Sequence, residues 1–485
     1  MKTLLLGGPG AGKTERLLAV MQSALERGIP PNQIAYCAFT NVASDEARQR
    51  AMKKFGFNED DLPYCRTLHS LCFRELGLQR GQILQKEHLD EISSLTGELT
   101  PTLDLNMDAP AQGVGADPLL TVDHFSRTTL RTLEEGWRVH GRELDWFRLK
   151  RFTSAYSLYK QDTGLMDFTD LLTEYLAMGA PVPVRVAIID EAQDLTHLQW
   201  AVIEKAFGHC EELWAGGDDD QSCFRWAGAA EDHLLNLGYQ REILPLSHRL
   251  PRSIFRLSQE IVARISTRYA KAQKPSPREG LVNWVNRPEE VALASGTWLM
   301  LARTRFQLKS MIETARNQGV IYSVLGVSSV DENHVRAIQA YEKLRAGNAI
   351  DGSDAHLVLK MLGMKHKTSL NEEELYGAGE LKIKPIAIWH DALVKIPLDD
   401  RLYYVACMRR GEKLTNAPRV RIQTIHGAKG MEAENVMLST DLTARTYKGY
   451  ELDPDSEHRV MFVGVTRASK ELHLIAPQTQ YGYPL

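Results

Sequence analysis

The run Gly7-Gly8-Pro9-Gly10-Ala11-Gly12-Lys13-Thr14 follows directly on the apolar residues 3–6 and precedes a helical stretch, and it leaves few folds open to this chain. Glycines at these positions let the backbone curl around a phosphate with its N–H groups pointing inward. Lys13 can then reach the β- and γ-phosphates, and the Thr14 hydroxyl can bind magnesium. The helix that follows offers its N-terminal dipole to the same anion. Gly10, Gly12, Lys13 and Thr14 are therefore candidate nucleotide ligands, with ATP and Mg2+ as the expected cofactors.

An acidic partner for such a loop is present in Val186-Ala187-Ile188-Ile189-Asp190-Glu191-Ala192-Gln193-Asp194. The apolar strand delivers Asp190 to its carboxyl end, where it can hold the magnesium shell. Glu191 is then placed to orient and deprotonate an attacking water. Taken alone, an Asp-Glu pair after a strand is usually a solvated edge; behind a P-loop it becomes a hydrolytic pair.

Short apolar runs, each followed by a turn and an amphipathic stretch, indicate parallel strands alternating with helices. One group of expected strands covers residues 3–6, 34–39, 184–189, 212–215 and 243–246. A second covers 298–302, 321–325, 420–424, 435–438 and 473–476. Two such groups in 485 residues predict an α/β protein with two parallel-sheet domains. We expect residues 1–84 and 152–250 to form the first and 251–347 with 415–485 the second. A helical insertion is expected at 85–151, including a Pro/Gly-rich loop at 100–118, and a smaller mixed insertion at 348–414.

Several later segments resemble motifs of the UvrD/Rep family of superfamily I DNA helicases, and the matches run from Gly7 to Arg467. Ala38-Phe39-Thr40-Asn41-Val42-Ala43 and Arg66-Thr67-Leu68-His69-Ser70 are similar to its DNA-contacting segments. Asp167-Phe168-Thr169-Asp170 resembles the return into the first core domain. More specific is Gly216-Gly217-Asp218-Asp219-Asp220-Gln221-Ser222-Cys223-Phe224-Arg225-Trp226, similar to the segment linking nucleotide state to DNA. Leu244-Pro245-Leu246-Ser247-His248-Arg249, Gln423-Thr424-Ile425-His426-Gly427-Ala428-Lys429-Gly430-Met431-Glu432 and Phe462-Val463-Gly464-Val465-Thr466-Arg467 complete the set.

The resemblance implies two RecA-like P-loop domains with a nucleotide cleft between them and two inserted, mainly helical subdomains. By the same likeness Gln221 senses the γ-phosphate. Arg249 and Arg467 approach that phosphate from the second domain, Arg467 as an arginine finger, and Glu432 lies near the nucleotide. Phe224 and Trp226 present π-faces to unstacked bases, a grip that does not depend on sequence. Phe39, Thr40, Asn41, Arg66, His69 and His426 are the other expected DNA contacts. The implied activity is ATP-dependent translocation on single-stranded DNA, 3′ to 5′, coupled to duplex unwinding at duplex/single-strand junctions. A translocase that displaces proteins without unwinding and a nucleotide-gated adaptor remain open as alternatives.

Departures from the family pattern bear on the base pocket. Only six residues precede Gly7, so no glutamine is expected there to read adenine. His248 stands where tyrosine usually stacks on the base, Glu15 and Ala227 where arginine is frequent, and Arg16 is a candidate for the pocket. With 58 basic against 62 acidic side chains and a net charge of −4, nucleic acid would have to bind through a local groove. Cysteines at 37, 65, 72, 210, 223 and 407 form no Cys-x-x-Cys pair, and no stretch approaches the length of a membrane span. We expect a soluble cytoplasmic monomer that serves replication or repair proteins, with no appended nuclease domain.

Overall fold

A computed structural model describes residues 1–38, 41–97, 118–364 and 370–485. The chain divides into two compact units: Met1–Arg278 with Asp453–Val463, and Glu279–Leu452 with Gly464–Leu485. Among the described residues, β1 (Lys2–Gly7), β2 (Ile34–Ala38), β3 (Cys65–Thr67), β4 (Val186–Ile189), β5 (Glu212–Gly217) and β6 (Gln240–Leu244) belong to the first unit. They form one parallel sheet in the order β3-β2-β4-β5-β1-β6.

Successive side chains of a strand point to opposite faces, so a strand covered on both sides reads as a continuous apolar run. Leu4, Leu5 and Leu6 of β1 are all fully buried. Leu4 and Leu6 pack with Ala35, Cys37, Ala187, Ile189 and Leu213 on one face. Leu5 packs with Tyr36, Val186, Ile188, Trp214 and Leu17 on the other. Helix Lys13–Glu26 covers that second face through Leu17, Leu18, Val20 and Met21, and helices Leu68–Glu75, Phe168–Met178 and His197–Phe207 cover the first.

Helices Lys86–Thr96, Pro118–Thr128, Leu133–His140 and Trp146–Thr163 interrupt the sheet order. Leu89, Ile92, Leu119, Val122, Leu149 and Phe152 give part of this region an apolar cluster of its own. The loop expected at 100–118 lies outside the described residues except for Pro118, which opens a helix, a position proline favours. Asp167 joins these helices to the sheet. It caps helix Phe168–Met178 by accepting from the Asp170 N–H at 2.7 Å, and it also accepts from Arg127, Lys160 and Tyr156 at 2.7–3.2 Å.

The second unit contains β7 (Leu281–Val285), β8 (Trp298–Ala302), β9 (Tyr322–Val324), β10 (Val327–Ser328), β11 (Ile350–Asp351), β12 (Leu375–Tyr376), β13 (Val420–Thr424), β14 (Ala433–Ser439) and β15 (Ala468–Ile475). The larger sheet runs β10-β9-β13-β8-β14-β15-β7, parallel except for the β9–β10 hairpin. Strands β11 and β12 pair separately and antiparallel, beside helices Glu332–Arg345, Gly352–Leu362 and Leu398–Arg409.

Both units are thus α/β bodies on parallel sheets, the fold class expected. Strands β3 and β7, and the two-residue strands β10, β11 and β12, were not expected from sequence. Strand β3 is only three residues long, and β7, Leu-Val-Asn-Trp-Val, is a largely exposed edge strand without a clean apolar period. No helix of the described residues is long and apolar enough to cross a membrane.

Candidate functional site

Strand β1 ends at Gly7, and the chain turns through Gly10 (φ 70°) and Gly12 (φ 82°) into the helix that starts at Lys13. Gly10 has a second constraint. A Cβ there would fall 2.3 Å from the Arg249 Cβ, so neither the dihedral nor the space admits a side chain. Gly12 is the N-cap and has no side chain to satisfy the first N–H groups of the helix, which stay directed at the loop. Within the loop, Lys13 Nζ donates to the Gly7 carbonyl at 2.9 Å.

Strand β4 lies one strand from β1 and brings Asp190 to the same end of the sheet. Its Oδ2 accepts from Thr14 Oγ1 at 3.0 Å and from the Tyr36 hydroxyl at 2.8 Å, while Oδ1 accepts from the Glu191 N–H at 2.9 Å. Burial and the neighbouring Glu191 raise the Asp190 carboxyl above its ordinary range, against the pull of Tyr36 and Lys13. A threonine hydroxyl and a buried carboxylate converging in this way form an oxygen donor pair suited to magnesium. A dication would also remove the cost of burying that charge. Glu191 itself has φ 54°, an uncommon conformation for a residue with a side chain.

Next along the sheet, β5 delivers Asp218, Asp219, Asp220 and Gln221, all buried. An aspartate run of this kind is commonly a solvated turn. Here the three carboxylates surround the fully buried Lys271, which contacts Asp218 and Asp220 at 2.9 Å each and also pairs with Asp219. Arg268 adds a bidentate pair to Asp220 at 2.7 Å. Gln221 Nε2 donates to Asp218 Oδ2 at 2.7 Å, which sets its amide. Trp226 is half-buried. Phe224 is only 6% exposed, so little of its ring is open in this structure.

Arg249 calls for a correction. It belongs to the first unit, not the second. Strand β6 pairs parallel with β1, Gly7 opposite Leu244, so the residues after β6 emerge beside the P-loop. There Ser247 Oγ donates to the Pro9 carbonyl at 2.7 Å and the His248 N–H donates to the Gly10 carbonyl at 2.9 Å. The His248 ring is exposed. Arg16 makes a bidentate pair with Glu242 at 2.7 and 3.0 Å and lies over the Trp214 ring.

Of the expected DNA contacts in this unit, Arg66 donates to the Pro63 carbonyl at 2.7 Å, and His69 meets the Phe168 ring edge-on. Burial and the nearby His124 push the His69 imidazole down to about 4. Phe39 and Thr40 lie outside the described residues. Asn41 opens helix Asn41–Phe55. The second unit carries the rest. Arg467 is buried and donates to the Thr466 hydroxyl at 3.2 Å and the Met431 carbonyl at 3.3 Å. Glu432 is exposed and His426 half-buried in the turn after β13. Sequence reasoning missed Tyr36, Gln193, Arg268 and Lys271. Only Gln193 lies in a segment that the sequence marks, that of Asp190 and Glu191, and each matters through a partner distant in the chain or hidden in a turn.

Family models bear directly on this arrangement. Residues 1–240 match the model of the UvrD/REP helicase N-terminal domain, and residues 400–479 that of the UvrD-like helicase C-terminal domain. The chain belongs to the UvrD/Rep helicase family. Curated members similar to it include the ATP-dependent DNA helicase PcrA of Bacillus subtilis, 24% identical over 391 residues, which cover 70% of this chain and 51% of that protein. The ATP-dependent DNA helicase UvrD1 of Mycobacterium tuberculosis is 26% identical over 388 residues, covering 70% and 50%. For the ATP-dependent DNA helicase srs2 of Schizosaccharomyces pombe the figures are 24% over 401 residues, 71% and 44%. The chain thus spans about half the length of the curated UvrD/Rep relatives it matches.

Proposed function

We propose that this chain is an ATP-driven motor on single-stranded DNA, acting as an ATP-dependent DNA helicase. One observation carries the reading. Thr14, Asp190, Glu191 and Gln221, which lie up to 207 residues apart in sequence, are held at the P-loop end of one sheet by buried and part-buried hydrogen bonds.

In this reading the P-loop amides and Lys13 hold the β- and γ-phosphates. Glu191 takes a proton from water as the water oxygen bonds to the γ-phosphorus, and the bond to the oxygen bridging to the β-phosphate breaks. Phosphate leaves with the new oxygen, and ADP keeps the bridging one. Magnesium, held by Asp190 and Thr14, would supply neutralisation of phosphate charge. Arg249 is assigned to the γ-phosphate from beside the P-loop, and Arg467, on the second unit, is assigned the finger's role. Gln221 reports the γ-phosphate to the loop bearing Trp226, whose exposed ring surface suits base stacking. Movement 3′ to 5′ follows the family likeness.

The test is steady-state ATP hydrolysis with and without a long single-stranded oligonucleotide. We expect strong stimulation, abolished in Lys13→Ala and in Glu191→Ala. Basal hydrolysis that DNA leaves unchanged would sink the motor reading. Duplexes with a 3′ or a 5′ single-stranded tail then test unwinding and polarity. Opening of the 3′-tailed substrate alone is the expected outcome, and hydrolysis without strand separation would favour the translocase.

A further inference from the structure

Gln193 touches both halves of the hydrolytic machinery, and no role has been assigned to it. It is fully buried, in the short turn that follows Glu191. Its Nε2 donates to Glu191 Oε2 at 2.5 Å. Its Oε1 accepts from the Asp218 N–H at 3.0 Å, and its backbone carbonyl accepts from Ser222 Oγ at 3.0 Å. The two amide contacts fix which end of the side chain donates and which accepts. Glycine at 217 makes the approach possible, because a Cβ there would fall 2.7 Å from Gln193 Oε1. Beyond Asp218 the chain of contacts continues: its carboxylate accepts from Gln221 and is paired with Lys271.

We propose that Gln193 is a positioning residue that ties the Glu191 carboxylate to the loop carrying Gln221 and Trp226, so that the state of that loop sets the aim of the base. The inference rests on the proposed roles of Glu191 and Gln221. Physically, the side chain must donate at one end and accept at the other across a fixed span. Glutamate cannot donate to Glu191, and methionine can do neither. A shift of the Asp218 backbone when DNA engages the loop moves the acceptor contact at Oε1. The rigid amide plane passes that shift to Nε2 and hence to the carboxylate. Such a link works without any change in nucleotide affinity, because Gln193 hydrogen-bonds the base and the loop, not the P-loop.

The experiment uses the full chain and compares Gln193→Met, Gln221→Ala and the double variant by ATP hydrolysis at saturating single-stranded DNA. We expect Gln193→Met to lower kcat by about tenfold or more while KM for ATP and DNA affinity change by less than about threefold. The double variant should be no slower than the slower single variant, because both act through one link. Additive losses, or a fall in nucleotide affinity that matches the fall in kcat, would overturn the inference in favour of a structural amide. If Gln193→Met does not fold by thermal melting, Gln193→Glu keeps the shape and the contact to Asp218 but repels Glu191, and the same split is expected of it. Glu191→Ala separates the two levels. Retained hydrolysis there fails the functional reading itself. Lost hydrolysis there, with kcat unchanged in the Gln193 variants, fails only the positioning role.

Discussion

Lys271 shows how much of the site is held by charge that no motif announces. Burial alone would lower its ammonium, but three aspartates outweigh that and hold it above its ordinary value. Removing one partner of a buried ionic cluster leaves uncompensated charge. Lys271→Met should therefore destabilise the protein by about 3–5 kcal/mol, read as a lower urea midpoint. A change below about 1 kcal/mol would show that the carboxylates find other partners. Trp226 makes the opposite case, since it is half-buried in the same loop and carries no charge. Trp226→Ala should lose most of the stimulation by single-stranded DNA while binding of a fluorescent ATP analogue stays within about threefold, base stacking being worth about 1–3 kcal/mol. Lys13, Thr14, Asp190 and Glu191 were legible in the sequence because a glycine pattern and an apolar run announce them. Lys271 and Gln193 were not, because their meaning lies in contacts and not in spacing.

At the scale of elements, the seam between the inserted helices and the first sheet is built from titratable groups. His124 accepts from or donates to the Thr169 hydroxyl at 2.8 Å, and burial pushes its imidazole down to about 4, as it does for His69. A histidine whose folded value lies below its unfolded value of about 6.5 contributes stability in the neutral form. That stability is present above pH 6.5 and is lost as pH falls from there toward about 4. Asp167 adds a further loss at more acid pH, below about 4. Burial would raise it, but Arg127 and Lys160 hold it well below the usual carboxylate range, so its contribution also disappears on acidification. Melting temperature should therefore fall between pH 6.5 and pH 5, and His124→Gln should flatten that fall. A melting temperature constant across this interval would refute the assignment. The helices of this seam could be expected from periodicity. Their ion pairs could not, since Arg127 and Asp167 are 40 residues apart.

Across the whole molecule, the two units are interlaced in sequence. Residues 453–463 belong to the first unit although the chain on either side of them belongs to the second. Within the first unit the fully buried Arg459 donates to the Asp219 carbonyl at 3.0 Å and the Thr267 carbonyl at 2.6 Å. Asp455 accepts from the Ser266 N–H at 2.9 Å. A segment close to the chain's end therefore completes the fold around the acidic loop. Arg459→Met would remove both of these contacts of a fully buried guanidinium, a loss of about 1–3 kcal/mol. It should lower the urea midpoint of the full chain, and an unchanged midpoint would mean that the last segment adds nothing to the first unit.

By itself the sequence determined the α/β class, the grouping of strands, the P-loop, the acidic pair and the family. Each of these is written in neighbouring residues: an apolar run long enough for a strand, glycines where the backbone must curl, a carboxylate at a strand's end. Tertiary structure alone decided that Arg249 stands beside the P-loop, that Phe224 is buried while Trp226 keeps exposed surface, and that Arg16 pairs with Glu242. It also decided that Gln193 reaches from Glu191 to Asp218. The reason is sheet order. β6 beside β1 and β5 between β1 and β4 bring segments hundreds of residues apart to one edge, and no local pattern encodes which strands will be neighbours.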